Sequence, residues 1–257
     1  MIELENTSQV WLIHGNLGGG KTMSAVALAV NALSRGYFVC SNVSLNLPVL
    51  DTVIPWASKL YQKFDVQTDE YDEHGNLIKR DNFNPFDLPC GSPRGTVNPK
   101  RVLVIFDECA EWFDQYSNLK SPFVGRVMSW LRHTSKRNQD VIFICQRLEY
   151  LQKNFRILCS RFVQVDDLDV WRLPIFKIRI PFMRGFVMAR CVDRVGTKTS
   201  PISFFKKSFY GRFYNTAQNL SSFGHESKVY ERPNMGYRFP WLLFLFYIVS
   251  CFMLIIA

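Results

Sequence analysis

The sequence lacks several features that would assign it to other classes of protein. Its seven cysteines include no C-x-x-C pair, so neither a zinc site nor a disulfide framework is expected, and a reducing compartment fits best. It has no low-complexity tract, and 47% of its residues are hydrophobic, which excludes wholesale disorder. The first eight residues contain no apolar core, so no N-terminal signal peptide is expected.

Acidic residues are scarce in the C-terminal third. Residues 171–238 carry 13 Lys or Arg and only three acids, so the net charge of +9 belongs to this segment. Such asymmetry favours contact with nucleic acid or an anionic membrane face, and the alternative is a solvated surface. Alternating apolar and basic residues at 176–180 and 186–192 predict a half-buried hairpin across the turn at 181–185.

Charge is absent altogether from the last 18 residues, Pro240–Ala257. Their length just reaches that of a short membrane-spanning helix if Phe239 and Pro240 lie at the interface. A buried C-terminal core helix is the alternative. Because Arg232 and Arg238 lie just upstream, the positive-inside rule predicts that the N-terminal body stays in the cytoplasm.

Glycine, in contrast, is concentrated in the run His14–Thr22, which matches G-x-x-x-x-G-K-[ST]. The glycines let backbone amides surround phosphates, Lys21 can reach the β and γ phosphates, and the Thr22 hydroxyl can bind Mg²⁺. The apolar Gln9–Ile13 predicts a strand before the run, and Met23–Leu33 predicts a helix after it. A chance glycine-rich turn is the alternative. The predicted nucleotide contacts are Gly15, Asn16, Leu17, Gly18, Gly19, Gly20, Lys21 and Thr22.

A second motif is the apolar run Val102–Phe106 followed by two acids. The pattern predicts a buried parallel strand that delivers carboxylates to its carboxyl end, where open α/β sheets bind ligands. Asp107 fits the residue that holds Mg²⁺, and Glu108 fits the base that activates the attacking water. An acidic cap of the next helix is the alternative.

A third core strand is predicted at Asp140–Gln146, after a helix at Pro122–Thr134. The side-chain amide of Gln146, at the end of this strand, can lie near the γ phosphate. The alternative interpretation is that Gln146 is an ordinary residue of the turn after the strand. Another strand is predicted at Arg161–Val165.

Two further regions complete the predicted organisation. Tyr37–Asn42 predicts a second strand, reached from the first helix by a right-handed crossover. Residues 48–100 contain six prolines and predict an insertion, with local helix near Ile54–Phe64 and a hairpin around His74–Asn76.

These motifs, in this order, resemble the zonula occludens toxin-like ATPases, which include inner-membrane assembly ATPases of filamentous bacteriophages. The resemblance continues through Tyr150–Arg156 and reaches the Tyr-rich Tyr210–Thr216, and it covers about residues 8–217. It implies an α/β P-loop NTPase of the additional-strand type, with a mainly parallel sheet flanked by helices. The expected domains are an ATPase domain at 1–170, a basic β-rich appendage and juxtamembrane segment at 171–238, and a transmembrane helix at 239–257.

The resemblance also implies a function. ATP and Mg²⁺ are the expected cofactors, and hydrolysis is expected to drive assembly and extrusion of filamentous phage at the host bacterial inner membrane. The expected partners are further copies of the chain in a ring, the membrane and phage coat or export proteins, with phage DNA as an additional candidate. The alternatives are a genome-packaging, DNA-translocating ATPase of a membrane-containing phage and a nucleotide-gated scaffold with negligible turnover.

An arginine that acts on a neighbouring subunit's nucleotide is also expected from the resemblance. The family often has an Arg-His pair shortly before the strand that ends in Gln, whereas Arg132 and His133 lie farther upstream here. The choice among Arg132, Arg137 and Arg156 therefore stays open.

Overall fold

A computed structural model describes six ranges of the chain, residues 9–71, 77–92, 101–114, 122–170, 184–193 and 203–214. All six belong to one compact unit, Met1–Thr216. Their strands are β1 Val10–His14, β2 Phe38–Ser41, β3 Tyr61–Lys63, β4 Gln67–Tyr71, β5 Leu77–Asn82, β6 Val102–Phe106, β7 Gln139–Cys145, β8 Arg161–Asp167, β9 Phe186–Asp193 and β10 Ser203–Lys206. Their α-helices are α1 Lys21–Ser34, α2 Leu47–Asp51, α3 Ala57–Leu60, α4 Ala110–Phe113, α5 Pro122–His133, α6 Lys153–Leu158 and α7 Lys207–Tyr210.

Eight of these strands form one sheet in the order β10-β9-β8-β1-β7-β6-β2-β3. The six strands from β8 to β3 run parallel, and β9 and β10 are antiparallel additions at one edge, so the predicted mainly parallel sheet is confirmed. Because β7 separates β1 from β6, the carboxyl ends of the glycine-rich and acidic strands are about 10 Å apart. β4 and β5 form a separate antiparallel pair on either side of the predicted hairpin tip.

The central strands are continuous apolar runs because both faces of the sheet are covered. Trp11 and Ile13 of β1 face one core cluster with the alanine-rich side of α1, whose small residues permit close packing. Leu12 belongs to the opposite cluster, in which aromatic rings dominate. The rings of this second cluster stack or meet edge to face across Phe106, Phe113, Phe143, Phe155 and Trp130.

The helix predicted at Ile54–Phe64 is wrong over its second half. A single turn, α3, ends at Leu60, and the chain then forms β3 beside β2. Hydrogen bonds to the open edge of β2 outweigh the local helical pattern, since strand formation depends strongly on available neighbours. The Tyr61 hydroxyl donates to the Val43 carbonyl and fixes this edge strand in place.

A buried ion pair joins Arg101, which directly precedes β6, to Asp140 of β7 at the amino-terminal edge of the sheet. The side chains of Arg101 and Asp140 are 4% and 2% exposed, and the guanidinium lies 2.7 Å from the carboxylate. Asp140 also accepts a hydrogen bond from the Gln9 backbone N–H at 3.0 Å. Burial of both charges makes each partner dependent on the other.

Several predicted features lie outside the described residues. These are the apolar span at 239–257, the first strand of the basic hairpin at 176–180 and the juxtamembrane bases Arg232 and Arg238. Within the described ranges, every helix is too short or too polar to cross a bilayer. The domain boundary predicted at residue 170 falls between β8 and β9, which pair side by side in the main sheet.

Candidate functional site

The loop Gly15–Gly20 joins β1 to α1 at the carboxyl edge of the sheet. Gly18 and Gly20 have φ angles of 69° and 89°, in the left-handed region that glycine enters without strain. The Gly19 N–H donates to the Asn16 carbonyl at 2.9 Å, so the loop curls back on itself. Its glycines therefore give the loop the curled backbone that the sequence motif requires.

Close packing against β8 and β9 explains two of the glycines further. A Cβ atom on Gly15 would overlap the Val165 carbonyl oxygen, and one on Gly20 would lie 2.6 Å from Val187 Cγ2. The loop thus rests on the two strands that continue the sheet beyond β1.

Lys21 is the first residue of α1, and its side chain lies within the loop. Its ammonium donates to the carbonyl oxygens of Gly15 and Asn16, each at 3.0 Å. Burial lowers the pKa of Lys21, and the nearby Glu108 and Asp107 carboxylates oppose that shift. The positive charge is therefore concentrated where the loop amides and the start of α1 favour an anion.

The two predicted metal-binding residues meet although 85 positions separate them. The Thr22 hydroxyl donates to Asp107 Oδ2 at 2.8 Å. Burial raises the pKa of Asp107 to about 6, while the hydrogen bond from Thr22 opposes that shift. A hydroxyl and one carboxylate beside a phosphate-binding loop suit Mg²⁺, which takes one or two carboxylates and completes its shell with phosphate and water. The described residues contain no cluster of three or more His, Cys, Asp or Glu side chains suited to another metal.

Glu108 follows Asp107 at the turn out of β6. Its backbone has φ 53°, an uncommon conformation for a residue with a side chain, and its N–H donates to Asp107 Oδ1 at 3.0 Å. The side chain is half-buried. The turn places a second acidic side chain at the rim of the site, at a position whose backbone conformation usually favours glycine.

Gln146 follows the last residue of β7, between the ends of β1 and β6. Its backbone carbonyl accepts a hydrogen bond from the Gly15 N–H at 3.3 Å, which ties the β7 end to the start of the loop. The residue is half-buried. Lys21, Thr22, Asp107, Glu108 and Gln146 therefore all lie at one edge of the sheet.

Asn42 is a member of the site that the sequence analysis did not single out. It follows β2, and its side chain bonds both backbone groups of Asp107, accepting from the N–H at 2.7 Å and donating to the carbonyl at 2.9 Å. The rule that polar residues after parallel strands converge would have drawn attention to it. Asn42 therefore fixes the backbone position of Asp107, and with it the position of the Asp107 carboxylate.

Replacing Asn42 with Ala is expected to destabilise the fold by about 1–3 kcal/mol, because both Asp107 backbone groups lose their partner. Urea unfolding measures this change. Asn84→Ala is the matched control, since Asn84 bonds the Phe86 N–H and the Asp87 carboxylate in an exposed turn. An equal unfolding midpoint for Asn42→Ala and the unchanged chain would contradict the assignment.

The three arginine candidates differ in their surroundings. Arg137 donates to the carbonyl oxygens of Phe86 and Leu88 at 2.9 and 2.8 Å. It lies just before β7, and the length of that strand, about 20 Å, separates it from the candidate site. Its guanidinium is therefore engaged in holding a turn at the opposite edge. Arg132 is exposed in the last turn of α5 and Arg156 half-buried in the last turn of α6, so the choice between them stays open.

The strand order, the glycine-rich loop before α1 and the acids after β6 define a P-loop NTPase. The chain belongs to the zonular occludens toxin (Zot) family, which it matches over residues 9–193.

Phage proteins are among its relatives. It is 28% identical over 182 residues to the Gene 1 protein of Enterobacteria phage I2-2, covering 68% of this chain and 45% of that protein. It is 25% identical over 248 residues to the Gene 1 protein of Enterobacteria phage fd, covering 86% of this chain and 62% of that protein. The chain thus spans about half the length of these relatives.

A solved structure with a similar fold is the N-terminal domain of zonular occludens toxin from Neisseria meningitidis. The two are 13% identical with a TM-score of 0.46, covering 81% of this chain and all of that one.

Proposed function

We propose that this chain is a Mg²⁺-dependent ATPase that couples hydrolysis to the assembly and extrusion of filamentous phage particles. The observation that carries the proposal is the hydrogen bond between Thr22 and Asp107, which joins the phosphate loop to the acidic strand end. Membership of the Zot family and the similarity to phage Gene 1 proteins support the phage context.

Each site residue has a distinct role in this proposal. The amides of Gly15–Gly20 surround the phosphates, and Lys21 leaves the Gly15 and Asn16 carbonyls to contact them. Thr22 and Asp107 hold Mg²⁺, which supplies charge neutralisation when it is bound with ATP. Glu108 orients and deprotonates the attacking water, and Gln146 contacts the γ phosphate.

The finer assignments are part of the same proposal. The position of β7 between β1 and β6 supports the additional-strand type of P-loop fold. A transmembrane helix at 239–257, a basic appendage at 171–238 and anchoring in the host inner membrane with the ATPase domain in the cytoplasm follow from sequence. A ring of subunits would bring Arg132 or Arg156 to a neighbouring nucleotide. The proposed partners are phage coat or export proteins and, on the basic segment, phage DNA.

Replacing Lys21 with Ala is expected to weaken Mg·ATP binding by about 10- to 100-fold, since charge-assisted hydrogen bonds to phosphate are lost. The measurement is nucleotide affinity of the full chain in detergent. Lys59→Ala is the matched control, because Lys59 is an exposed lysine on α3. Unchanged affinity in Lys21→Ala would overturn the nucleotide site.

The same preparation tests the biological role through its response to DNA. We expect ATP turnover that is indifferent to double-stranded DNA, because the proposed load is an assembling particle. Strong stimulation by DNA would contradict this expectation and favour the genome-packaging alternative.

A further inference from the structure

The last glycine of the phosphate loop lies against a side chain of β9. Val187 is completely buried, and its Cγ2 atom would be only 2.6 Å from a Cβ atom on Gly20. Gly20 directly precedes Lys21, and its φ of 89° sets the direction in which α1 leaves the loop. The position of Val187 therefore affects the geometry with which the loop amides and Lys21 meet a phosphate.

Val187 belongs to the last pair of the ladder between β8 and β9. Its cross-strand partner is Asp167, the final residue of β8. Side chains of directly opposite residues lie on the same face of a sheet, and here that face carries the core cluster around α1. Because the ends of secondary structure open more easily than the middle, this pair depends on support from outside the ladder.

Lys207, the first residue of α7, supplies that support. Its ammonium lies 2.5 Å from Asp167 Oδ1 and 2.7 Å from Asp169 Oδ2. Asp169 also accepts a hydrogen bond from the Gly185 N–H at 2.5 Å, and the Lys207 N–H donates to the Gly185 carbonyl at 2.7 Å. The network joins the chain that leaves β8, the chain that enters β9 and the chain that leaves β10.

The charges of this network are partly shielded from water. The side chains of Asp167 and Lys207 are 10% and 27% exposed, so their attraction is screened less than that of a fully exposed pair. Asp167 and Asp169 are held close together because both contact one nitrogen atom. Without the Lys207 ammonium, the two carboxylates would repel each other at the end of the ladder.

We infer that Lys207 is a positioning residue of the nucleotide site, which holds the two carboxylates together at the end of the β8–β9 ladder and thereby keeps Val187 against Gly20. This inference rests on the proposed function, in which the loop binds nucleotide. It also connects the chain after β10 to the site, since by linkage a ligand that orders the loop orders α7 as well.

The first test measures hydrogen exchange of the full chain in detergent, without nucleotide. In Lys207→Met, the backbone amides of the phosphate loop are expected to exchange about three- to tenfold faster, because the ladder end no longer holds Val187 in place. Arg190→Met is the matched control. It also removes a cation bound to a β8 carboxylate, but the Arg190–Asp166 pair lies on the opposite face of the same ladder, so loop exchange should stay unchanged.

The second test measures ADP affinity with saturating Mg²⁺ by calorimetry, at a temperature at which circular dichroism shows every variant folded. Lys207→Met and Val187→Ala are each expected to weaken binding by about three- to tenfold, and Arg190→Met to leave it unchanged. The variant with both Lys207→Met and Val187→Ala should bind no more weakly than the weaker single variant, because both changes remove the same support of Gly20.

Three results would overturn the inference. Unchanged loop exchange in Lys207→Met would show that the network does not reach the loop. Equal losses of ADP affinity in Lys207→Met and Arg190→Met would assign the loss to general weakening of the ladder. Additive losses in the double variant would mean that Lys207 does not act through Val187. Absence of ADP binding by the unchanged chain would overturn the proposed function, and the exchange measurement would still decide whether Lys207 holds the loop.

Discussion

Replacing Glu108 with Gln is expected to lower ATP turnover by about 10²- to 10⁴-fold, the usual contribution of a general base. Gln has nearly the same shape but cannot accept the proton of the attacking water. Because Asp107, Thr22 and Lys21 are unchanged, Mg·ATP affinity should stay close to that of the unchanged chain. Phosphate release and nucleotide binding, measured on the same preparation, separate the two effects.

The backbone at Glu108 supports this assignment. A left-handed φ of 53° in a residue with a side chain costs about 1–3 kcal/mol, and such strain persists where function requires it. The strain is held by the buried strand before the turn and by the bond from the Glu108 N–H to Asp107 Oδ1. The chain thus keeps an acid at a position that a glycine would occupy at less cost.

Glu111→Gln is the matched control for this experiment. Glu111 lies three residues farther along, exposed on α4, and its replacement should leave turnover unchanged. Equal turnover by Glu108→Gln and the unchanged chain would remove Glu108 from the mechanism. Negligible turnover by both would favour the nucleotide-gated scaffold.

The parts of the fold that could be predicted from sequence are those that depend only on residues contiguous in the chain. β6 and β7 are buried on both faces, so they appear as unbroken apolar runs, and their bounds are within one residue of the prediction. The glycine-rich loop is equally local, because its curled backbone and its lysine are neighbours in the chain. The proximity of Thr22 and Asp107 could be predicted because residues that follow parallel strands lie together at the carboxyl edge of the sheet.

The parts that could not be predicted depend on contacts between distant residues. Val187 limits the space at Gly20, a contact that the alternating pattern at 186–192 does not reveal. This contact exists only because β9 extends the sheet beside β8. Arg137 illustrates the converse, since a basic residue in a suggestive position proves to hold a turn through the Phe86 and Leu88 carbonyls.

The ion pair between β6 and β7 should dominate the response of the fold to a single substitution. Asp140→Ala is expected to lower the free energy of unfolding by about 3–5 kcal/mol, because it leaves the Arg101 guanidinium buried without its carboxylate. The Gln9 N–H would lose its acceptor as well. Urea unfolding followed by circular dichroism measures the loss.

A double substitution separates the pair's net contribution from the cost of breaking it. In Arg101→Met with Asp140→Leu, no charge remains to be buried, so most of the lost stability should return despite the absence of the ion pair. The hydrogen bond from the Gln9 N–H to Asp140 is missing in this variant as well, which accounts for any residual deficit of about 1 kcal/mol. A double variant as unstable as Asp140→Ala would mean that the pair itself stabilises the junction of β6 and β7, and the unpaired charge would no longer explain the loss.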